Sequence, residues 1–418
     1  MKTSSQEVSN LSMQLAETFS IVDNCLEIGG ISLERLAEQV GQKPFFVYSR
    51  RHIDERVNLL REHIPPQVSI HYAVKANPFV PLVHYMASKV EGVDIASASE
   101  LLIALNAGVD PQDISFAGPG KNDADLKQAI AARILINVES ENELHRIHAI
   151  AQTLNERARI ALRINPDYRL NSSGMRMGGG PLQFGMDVQY VKAVLGVVRD
   201  YPEYLQFEGF QIFPGSQNLN ADHIIEAQHK ALDLVITLAR ESGVMVQRFN
   251  LGGGFGVPYF EGDQELDLPK IGLSMQQLVD KAEAAMPGVE IILELGRYLV
   301  APAGIYVTKV VERKVSHDVV YLVTEGGMNH HLAASGHLGQ LIRRNYPIVI
   351  GNRVAGETVE KVNVVGPLCT PLDVLLNQGT LTVAHPGDLV AIFQSGAYGL
   401  SASPVGFLSQ TQAVEILI

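Results

Sequence analysis

The sequence predicts a (β/α)8 TIM-like barrel followed by an all-β domain, and two observations carry this prediction. Eight short apolar, β-branched runs recur between residues 69 and 297, separated by stretches long enough for helices. Strands that alternate with helices pair in parallel through right-handed crossovers. Beyond about residue 300, β-rich runs follow one another with little helical sequence between them. An open, doubly wound parallel sheet is the alternative for the first part.

The eight runs match the strand number of a barrel that typically takes about 250 residues. In chain order they are SIHYAVKA from Ser69, VEGVDIAS from Val90, ISFAGPG from Ile114, RILINVES from Arg133, ARIALRINP from Ala158, FEGFQIFPG from Phe207, RFNLGGGFG from Arg248 and EIILELGR from Glu290.

The C-terminal part predicts a separate β domain. Its runs are AGIYVTKVVERKV, VVYLVTEGG, KVNVVGP, DLVAIFQSG and AVEILI. PFFVYS, from Pro44, is an isolated strand ahead of the barrel, and we expect it to join the same domain. The predicted division is therefore residues 1–49 contributing to the β domain, the barrel at 50–300 and the β domain at 301–418.

Length and composition restrict the class of protein. With 418 residues, 46% apolar and 19% charged, the chain is globular. The net charge, 33 − 45 = −12, argues against nucleic-acid binding through bulk positive charge. Two cysteines cannot build a disulfide framework, and we find neither a signal peptide nor a long apolar run. We therefore expect a soluble, cytoplasmic protein with no membrane or nucleic-acid partner.

Two charged residues stand where barrel strands normally carry apolar side chains. Strand alternation points Lys75 into the barrel near the C-terminal end of the first run, and Glu294 inward from the eighth. A desolvated lysine amine can form a Schiff base. The alternatives are a lysine that snorkels out of the barrel mouth and a structural ion pair between the two residues.

The glycines after the seventh run add a second feature. Gly252, Gly253 and Gly254 follow this run directly, and loops after strands seven and eight of barrels often bind phosphate through backbone N–H groups. Arg297 ends the eighth run and can add a charged donor. A phosphate here, an aldehyde for Lys75 and a ring nitrogen for Glu294 are all present in pyridoxal 5′-phosphate.

Five motifs in order, HYAVKAN, GGGFG, ELGRY, GPLCTPLD and SGAYG, resemble those of the fold-type III pyridoxal-phosphate-dependent decarboxylases, the ornithine and diaminopimelate decarboxylase family. The resemblance runs from about Pro44 to the C-terminus. It implies an amino-acid decarboxylase that forms a head-to-tail homodimer with shared active sites and needs no metal ion. NLGGGFGVPYF, GPLCTPLD and FQSGAYGLSASPVGFL are most similar to a divergent branch, which includes the butirosin-pathway decarboxylase of carrier-linked glutamate and the exosortase A-associated decarboxylases.

The resemblance also implies roles for individual residues. Lys75 would hold the cofactor as a Schiff base, and Glu294 would face the pyridine nitrogen and support the electron-rich intermediate. Cys369, matching a cysteine that the partner subunit supplies, would return a proton to Cα after CO₂ leaves; a buried structural thiol is the alternative. Asp94 and Arg163 match residues close to the cofactor. The matching phosphate contacts are Ser216, Gly252, Gly253, Gly254, Gly296, Arg297 and Tyr398.

Three departures from the family pattern bear on cofactor and substrate. Phe213 stands where a histidine usually stacks on the cofactor ring. Thr370 stands directly after Cys369, where members that act on free diamino acids usually carry an acidic residue. The Arg-Pro…Tyr pattern that holds the distal end of diaminopimelate is missing after GGMN. The candidate substrate contacts are therefore Arg343, Arg344, Tyr346, Thr370 and Asp373.

These departures favour a substrate with a neutral distal end. We expect decarboxylation of an L- or meso-amino acid, or of a carrier-tethered or derivatised aminoacyl group. A diaminopimelate decarboxylase acting on the free amino acid is the first alternative. An alanine-racemase-like enzyme is less consistent with Glu294, since racemases usually place arginine against the ring nitrogen. A non-catalytic regulator is disfavoured because Lys75, Glu294, Arg297 and Cys369 are all present.

Overall fold

The computed structural model of the protein describes residues 8–168, 175–176, 178–356 and 358–418, with the backbone alone for 175–176. The chain divides into two units, each described separately below. The barrel unit consists of Arg56–Val257 and Glu265–Leu299. The β unit consists of the described residues before Arg56 together with Pro258–Gln264 and Val300–Ile418.

The N-terminal elements belong to the β unit. Ser9 caps the first helix, because its side chain accepts a hydrogen bond from the N–H of Ser12, and Ser32 caps the second helix in the same way. Between the helices lies a small antiparallel sheet. The elements are α1 Asn10–Thr18, β1 Ser20–Val22, β2 Cys25–Ile28, β3 Ile31–Ser32, α2 Leu33–Gln39 and β4 Phe45–Tyr48.

Eight parallel strands form the predicted barrel, one from each of the eight apolar runs. The elements are α3 Arg50–His63, β5 Val68–Ala73, α4 Val80–Ala87, β6 Gly92–Ile95, α5 Ala98–Asn106, β7 Ile114–Phe116, α6 Asp123–Ala131, β8 Leu135–Val138, α7 Glu141–Leu154, β9 Ala158–Asn165, β10 Met175–Arg176, β11 Met186–Asp187, α8 Val188–Asp200, β12 Leu205–Gln211, β13 Gly215–Ser216, α9 Ala221–Ser242, β14 Arg248–Gly253, α10 Leu268–Ala285, β15 Glu290–Leu295 and α11 Arg297–Val300.

The barrel is closed. Its strands pair in the order β9-β12-β14-β15-β5-β6-β7-β8, and β8 pairs again with β9. The open-sheet alternative is therefore wrong. The structure also corrects one strand end, because β5 stops at Ala73 and Lys75 lies in a 3₁₀ turn, Val74–Ala76.

A chain of polar side chains crosses the barrel interior. His71 Nδ1 lies 3.3 Å from Asp94 Oδ2, the Ser115 hydroxyl donates to Asp94, and Asn137 Nδ2 donates to Ser115 Oγ at 3.1 Å. Burial opposes the charge on His71, but the hydrogen bond and charge of Asp94 outweigh it, so the pKa of His71 is raised. The barrel interior is thus packed with paired polar groups as well as apolar ones.

The β unit is built on an eight-stranded sheet that the N-terminal strand joins as expected. β4 pairs antiparallel with β16 (Gly304–Ser316) and parallel with β22 (Val414–Leu417). In the described part of the chain, no helix is both long and apolar enough to cross a membrane. The remaining strands are β16 Gly304–Ser316, β17 Val319–Thr324, β18 Ile348–Ile350, β19 Val359–Val365, β20 Val374–Thr382, β21 Leu389–Ile392 and β22 Val414–Leu417.

Candidate active site

An ion pair between a lysine and a glutamate lies in the barrel. Lys75 Nζ is 3.0 Å from Glu294 Oε1, and the two residues come from neighbouring strands, β5 with its following turn and β15. The side chain of Glu294 is 2% exposed, whereas that of Lys75 is 38% exposed. A ligand can therefore reach the amine from solvent, while the carboxylate stays enclosed.

Phe213 lies beside this ion pair. The Lys75 ammonium is 5.1 Å from the centroid of its ring, a cation–π distance. A Cβ placed on Gly252 would come within 2.8 Å of the same ring. The structure therefore brings together the lysine, the glutamate, the aromatic residue that replaces histidine and the first glycine of the GGG run.

The GGG run packs so closely that it presents only backbone. Gly252 and Gly254 have φ angles of +66° and +80°, which favour glycine. A Cβ on Gly253 would lie 1.9 Å from the carbonyl oxygen of Glu294, and a Cβ on Gly254 would lie 2.3 Å from that of Gly215. This cradle suits the phosphate of a cofactor, which backbone N–H groups can bind.

One N–H group of this cradle is already used inside the protein. The Gly252 N–H donates to Asn250 Oδ1 at 2.7 Å. Ser216 lies next to the glycines, since its Cα is 3.6 Å from the position of a Cβ on Gly254. The Gly252 N–H is therefore engaged within the protein, whereas Ser216 lies beside the glycines.

Gly296 and Arg297 connect the eighth strand to the lysine turn. A Cβ on Gly296 would lie 2.8 Å from the Cβ of Ala76 and 3.2 Å from that of Ala73. Glycine thus lets the turn that carries Lys75 pack directly on the end of β15. Arg297 follows as the first residue of α11 and is half-buried.

Arg163 and Asp94 are engaged in different networks. Arg163 Nη1 donates to Glu139 Oε1 at 2.8 Å, and its guanidinium lies 5.0 Å from the centroid of Phe184. Glu139 also accepts backbone N–H groups from Gly118 at 2.6 Å and Gly185 at 2.9 Å. This carboxylate therefore links Arg163 to two loops, whereas Asp94 belongs to the His71–Ser115 chain.

In the β unit, Cys369 is a free and exposed thiol. It lies in the loop between β19 and β20, and half-buried Thr370 follows it. Asp373 ends the loop and is 2% exposed. Its two carboxylate oxygens accept backbone N–H groups from Met328 at 2.6 Å and Leu368 at 2.8 Å. Burial raises the pKa of Asp373, and these two hydrogen bonds oppose that effect.

The three predicted anchors after GGMN all have partners inside the β unit. Arg343 is half-buried, and its Nη2 donates to the carbonyl of Val374. Burial lowers the pKa of Arg343. Arg344 Nη1 lies 3.5 Å from Asp263 Oδ1, and Arg344 Nη2 donates to a backbone carbonyl at 3.0 Å. Tyr346 is buried against the aromatic ring of Tyr259, with centroids 4.8 Å apart.

Tyr398 has the backbone conformation of a constrained residue. Its φ angle is +53°, in the left-handed region that bulky residues rarely adopt. Three residues earlier in the same motif, Ser395 Oγ lies 2.9 Å from His331 Nε2, and both groups are fully buried. A buried hydrogen bond therefore joins the SGAYG and GGMNHH segments three residues before Tyr398.

Two polar residues of the barrel were not among the predicted site residues. Gln211 donates from Nε2 to Glu294 Oε2 at 3.0 Å, and Glu139 holds Arg163. In a strand, every second side chain points to the same face, so Gln211 shares the face of Phe213 two residues later, and this alternation could have identified Gln211 as an inward residue. Alternation cannot identify Glu294 as the partner of Gln211, because Glu294 lies 83 positions further along the chain.

Comparison with known proteins identifies a family whose model matches this chain. A family model described as pyridoxal-dependent decarboxylase, pyridoxal binding domain, matches residues 50–301. The L-glutamyl-[BtrI acyl-carrier protein] decarboxylase of Niallia circulans is 40% identical over 381 residues, which are 90% of this chain and 89% of the relative. The diaminopimelate decarboxylase of Aquifex aeolicus is 31% identical over 406 residues, 95% of this chain and 91% of the relative.

Solved structures agree with the fold. The diaminopimelate decarboxylase of M. jannaschii in complex with L-lysine superimposes with a TM-score of 0.86 at 27% identity. The match covers 97% of this chain and 93% of that one. The enzyme of Helicobacter pylori with L-lysine gives a TM-score of 0.82 at 28% identity, over 92% and 94% of the two chains.

Proposed function

This chain belongs to the pyridoxal-dependent decarboxylases, and from that premise we propose that it decarboxylates an aminoacyl group whose distal end is tethered to a carrier or otherwise derivatised. Pyridoxal phosphate is the family's cofactor. The relative from Niallia circulans is named for a glutamyl group on an acyl carrier protein. A thioester at the distal carboxyl removes the negative charge of that carboxyl. It also connects the aminoacyl group to a carrier outside the active site.

One observation carries the choice of substrate. Two of the charged residues considered as distal anchors in the β unit are engaged elsewhere, Asp373 by two backbone N–H groups and Arg344 by Asp263. Arg343 donates to the Val374 carbonyl, but its Nε has no hydrogen-bond partner among the described residues. A free diamino acid would bring an unpaired charge to the site, which costs several kcal/mol when buried. A neutral, tethered distal end requires no such partner.

The barrel residues fit the cofactor. When bound, pyridoxal phosphate supplies an aldehyde that condenses with amines and a protonated ring that accepts the electron pair left as CO₂ departs. Lys75 would supply the amine, and enclosed Glu294 would stabilise the protonated ring nitrogen. Phe213, beside Lys75, would offer an aromatic surface to the cofactor without a hydrogen bond. In the barrel unit, Gly253, Gly254, Ser216, Gly296 and Arg297 form the proposed phosphate site.

The β unit supplies the proton donor in this proposal. Exposed Cys369 would return a proton to Cα after CO₂ leaves, and its neighbour Thr370 is neutral. We propose a homodimer in which Cys369 of one protomer serves the Lys75 of its partner. We also propose residues 50–300 and 301–418 as the functional domains, with 1–49 contributing to the second. A cytoplasmic location follows from the need to keep this thiol reduced.

Decarboxylation of free diaminopimelate is the second candidate. Its support is the 31% identity to the Aquifex aeolicus enzyme and the TM-score of 0.86 with the M. jannaschii structure. The enclosed carboxylate of Glu294 is also what separates both candidates from a racemase that places arginine at the ring nitrogen.

CO₂ release distinguishes the two candidates. Purified protein with pyridoxal phosphate is assayed with a glutamyl group loaded on an acyl carrier protein, with free L-glutamate and with free meso-diaminopimelate. We expect turnover of the carrier-linked group. For the free amino acids we expect kcat/KM to be at least about 100-fold lower, the size of the effect of leaving one charge without a partner. The matched control is Lys75→Ala. A kcat/KM for free meso-diaminopimelate of about 10⁴ M⁻¹s⁻¹ or more would refute the proposal.

A further inference from the structure

Glu294 has two oxygens, and the barrel gives each a different donor. Oε1 lies 3.0 Å from the ammonium of Lys75, and Oε2 accepts a hydrogen bond at 3.0 Å from Nε2 of Gln211. Gln211 is 1% exposed and Glu294 is 3% exposed, so water does not compete for the hydrogen bond between them. Resting on the proposed role of Glu294 at the ring nitrogen, we propose that Gln211 is the positioning residue that fixes this carboxylate.

The orientation of the Gln211 amide follows from the charge of its partner. A carboxylate only accepts hydrogen bonds, so the NH₂ group must face Glu294 and the carbonyl must point away. The carbonyl oxygen of Gln211 is buried without a hydrogen-bond donor among the described residues. A buried polar atom left unpaired in this way is costly. The contact with Glu294 therefore decides how the amide is turned.

The two donors differ in what happens to them when cofactor binds. In the proposed function the Lys75 amine is used to hold the cofactor's aldehyde, so Glu294 Oε1 becomes available for the ring nitrogen. Gln211 has no such second task, and its N–H stays on Oε2. The carboxylate would then keep one rotamer, with Oε2 held by Gln211 and Oε1 available to the cofactor.

A neutral donor suits this role better than a cation. A lysine or arginine on Oε2 would neutralise Glu294 and weaken its attraction for the protonated ring. An amide satisfies the oxygen and leaves the full negative charge for the ring nitrogen. Without any donor, the enclosed oxygen would lose a charge-assisted hydrogen bond, and the side chain would turn to find another.

The local backbone places Gln211 where this contact requires it. β12 has a bulge between Phe207 and Gly209, beyond which Gln211 pairs with Arg163 on one side and Asn250 on the other. At the bulge, a Cβ on Gly209 would lie 1.7 Å from the carbonyl oxygen of Arg248. A bulge inserts one residue and re-aims the side chains that follow it.

The test uses holoenzyme and a matched pair of variants on one strand. Gln211→Met keeps the volume of the side chain and removes its donor. Gln206→Met is the control, because Gln206 also donates to a carboxylate, Glu208 Oε1 at 3.1 Å, from the other end of β12. For each protein we measure kcat, KM, the visible absorbance of bound cofactor and the Kd of pyridoxal phosphate for protein stripped of it.

We expect Gln211→Met to lower kcat about 10- to 100-fold with KM within about threefold, the usual size of losing a residue that orients a reactive group. The cofactor Kd should rise about tenfold or more and the absorbance band should shift, while Gln206→Met matches wild type. Gln211→His keeps an N–H donor and should restore most of kcat and of cofactor affinity. If Gln211→Met does not fold, failure of folded Gln211→His to bind cofactor like wild type overturns the proposal.

A double-mutant cycle separates this inference from the proposed function. If Gln211 acts through Glu294, then adding Gln211→Met to Glu294→Gln should change kcat and the cofactor Kd less than about twofold. Full additivity of the two changes would overturn the role of Gln211. Wild-type cofactor binding and kcat in Glu294→Gln alone would instead overturn the proposed role of Glu294.

Discussion

Asp373 accepts a hydrogen bond at 2.8 Å from the backbone N–H of Leu368, the residue directly before Cys369. Its other oxygen accepts the N–H of Met328 at 2.6 Å. One enclosed carboxylate therefore ties the GGMN segment to the loop that presents the exposed thiol. We infer that Asp373 orders this loop rather than contacting substrate.

Asp373→Asn should loosen the Cys369 loop. An amide has a single acceptor oxygen, so one of the two backbone N–H groups would face an NH₂ group instead. We expect the free energy of unfolding to fall by about 1–3 kcal/mol. We expect kcat to fall about tenfold or more, because a small displacement of a reacting group is costly. Denaturant unfolding and steady-state kinetics measure the two effects.

Asp318→Asn is the matched control for this change. Asp318 is exposed in a turn with φ +62°, which asparagine adopts readily, and the substitution removes the same charge. It should leave both quantities at wild-type values. Wild-type kcat in a destabilised Asp373→Asn protein would show that the thiol does not depend on this carboxylate.

Lys75→Ala should abolish cofactor attachment. The amine of Lys75 lies beside Glu294, in the barrel that also carries the glycine cradle. We expect loss of the visible absorbance of bound cofactor, no borohydride-trapped adduct, and activity below about a thousandth of wild type. Lys127→Ala, at an exposed lysine of the same unit, is the control. A trapped peptide centred on another lysine would contradict the assignment.

Mixing two inactive proteins tests the composite site. If Cys369 of one protomer serves the Lys75 of its partner, a heterodimer of Lys75→Ala and Cys369→Ala has one intact site. Random exchange at equal concentrations should then recover about a quarter of wild-type activity, since half the dimers are mixed and each has one working site of two. No recovery after exchange has been verified by mass would mean that each site is built within one chain.

The stability of the β unit should depend on the ionisation of His331. The N–H of Ala334 donates to its Nδ1 at 3.3 Å, so Nε2 carries the proton that faces Ser395 Oγ. Protonating Nδ1 would break this arrangement. Burial accordingly lowers the pKa of His331 from its ordinary 6.5 to about 3.

The contribution of neutral His331 to the stability of the β unit decreases as the pH falls. Between pH 6.5 and about 3 the unfolded chain binds a proton at His331 that the folded chain does not. The stabilising contribution is therefore complete above pH 6.5 and decreases as pH falls through this window, by up to about 1.4 kcal/mol per pH unit. Denaturant unfolding at several pH values should show a smaller pH slope for His331→Gln than for wild type.

His317→Gln is the control, because His317 is exposed in a turn. Its slope should match wild type. Equal slopes in wild type and His331→Gln would show that this buried ring does not govern the acid sensitivity of the unit.

The alternation of apolar and polar residues was enough to predict the eight strands and to place Glu294 on an enclosed face of the eighth. Those features follow from period two and from the cost of placing a charge inside a barrel. The same alternation extended the first strand to Lys75, whereas the structure ends it at Ala73. Local pattern does not show where a strand passes into a 3₁₀ turn.

Periodicity along the chain was therefore sufficient to predict the barrel strands and the added β domain. The groups that the charged side chains contact depend instead on how distant parts of the chain come together. Gln211 reaches Glu294 across 83 positions, and Met328 reaches Asp373 across 45. Such contacts depend on barrel closure, on the bulge in β12 and on sheet register. All three arise from long-range pairing, which no local window of sequence contains.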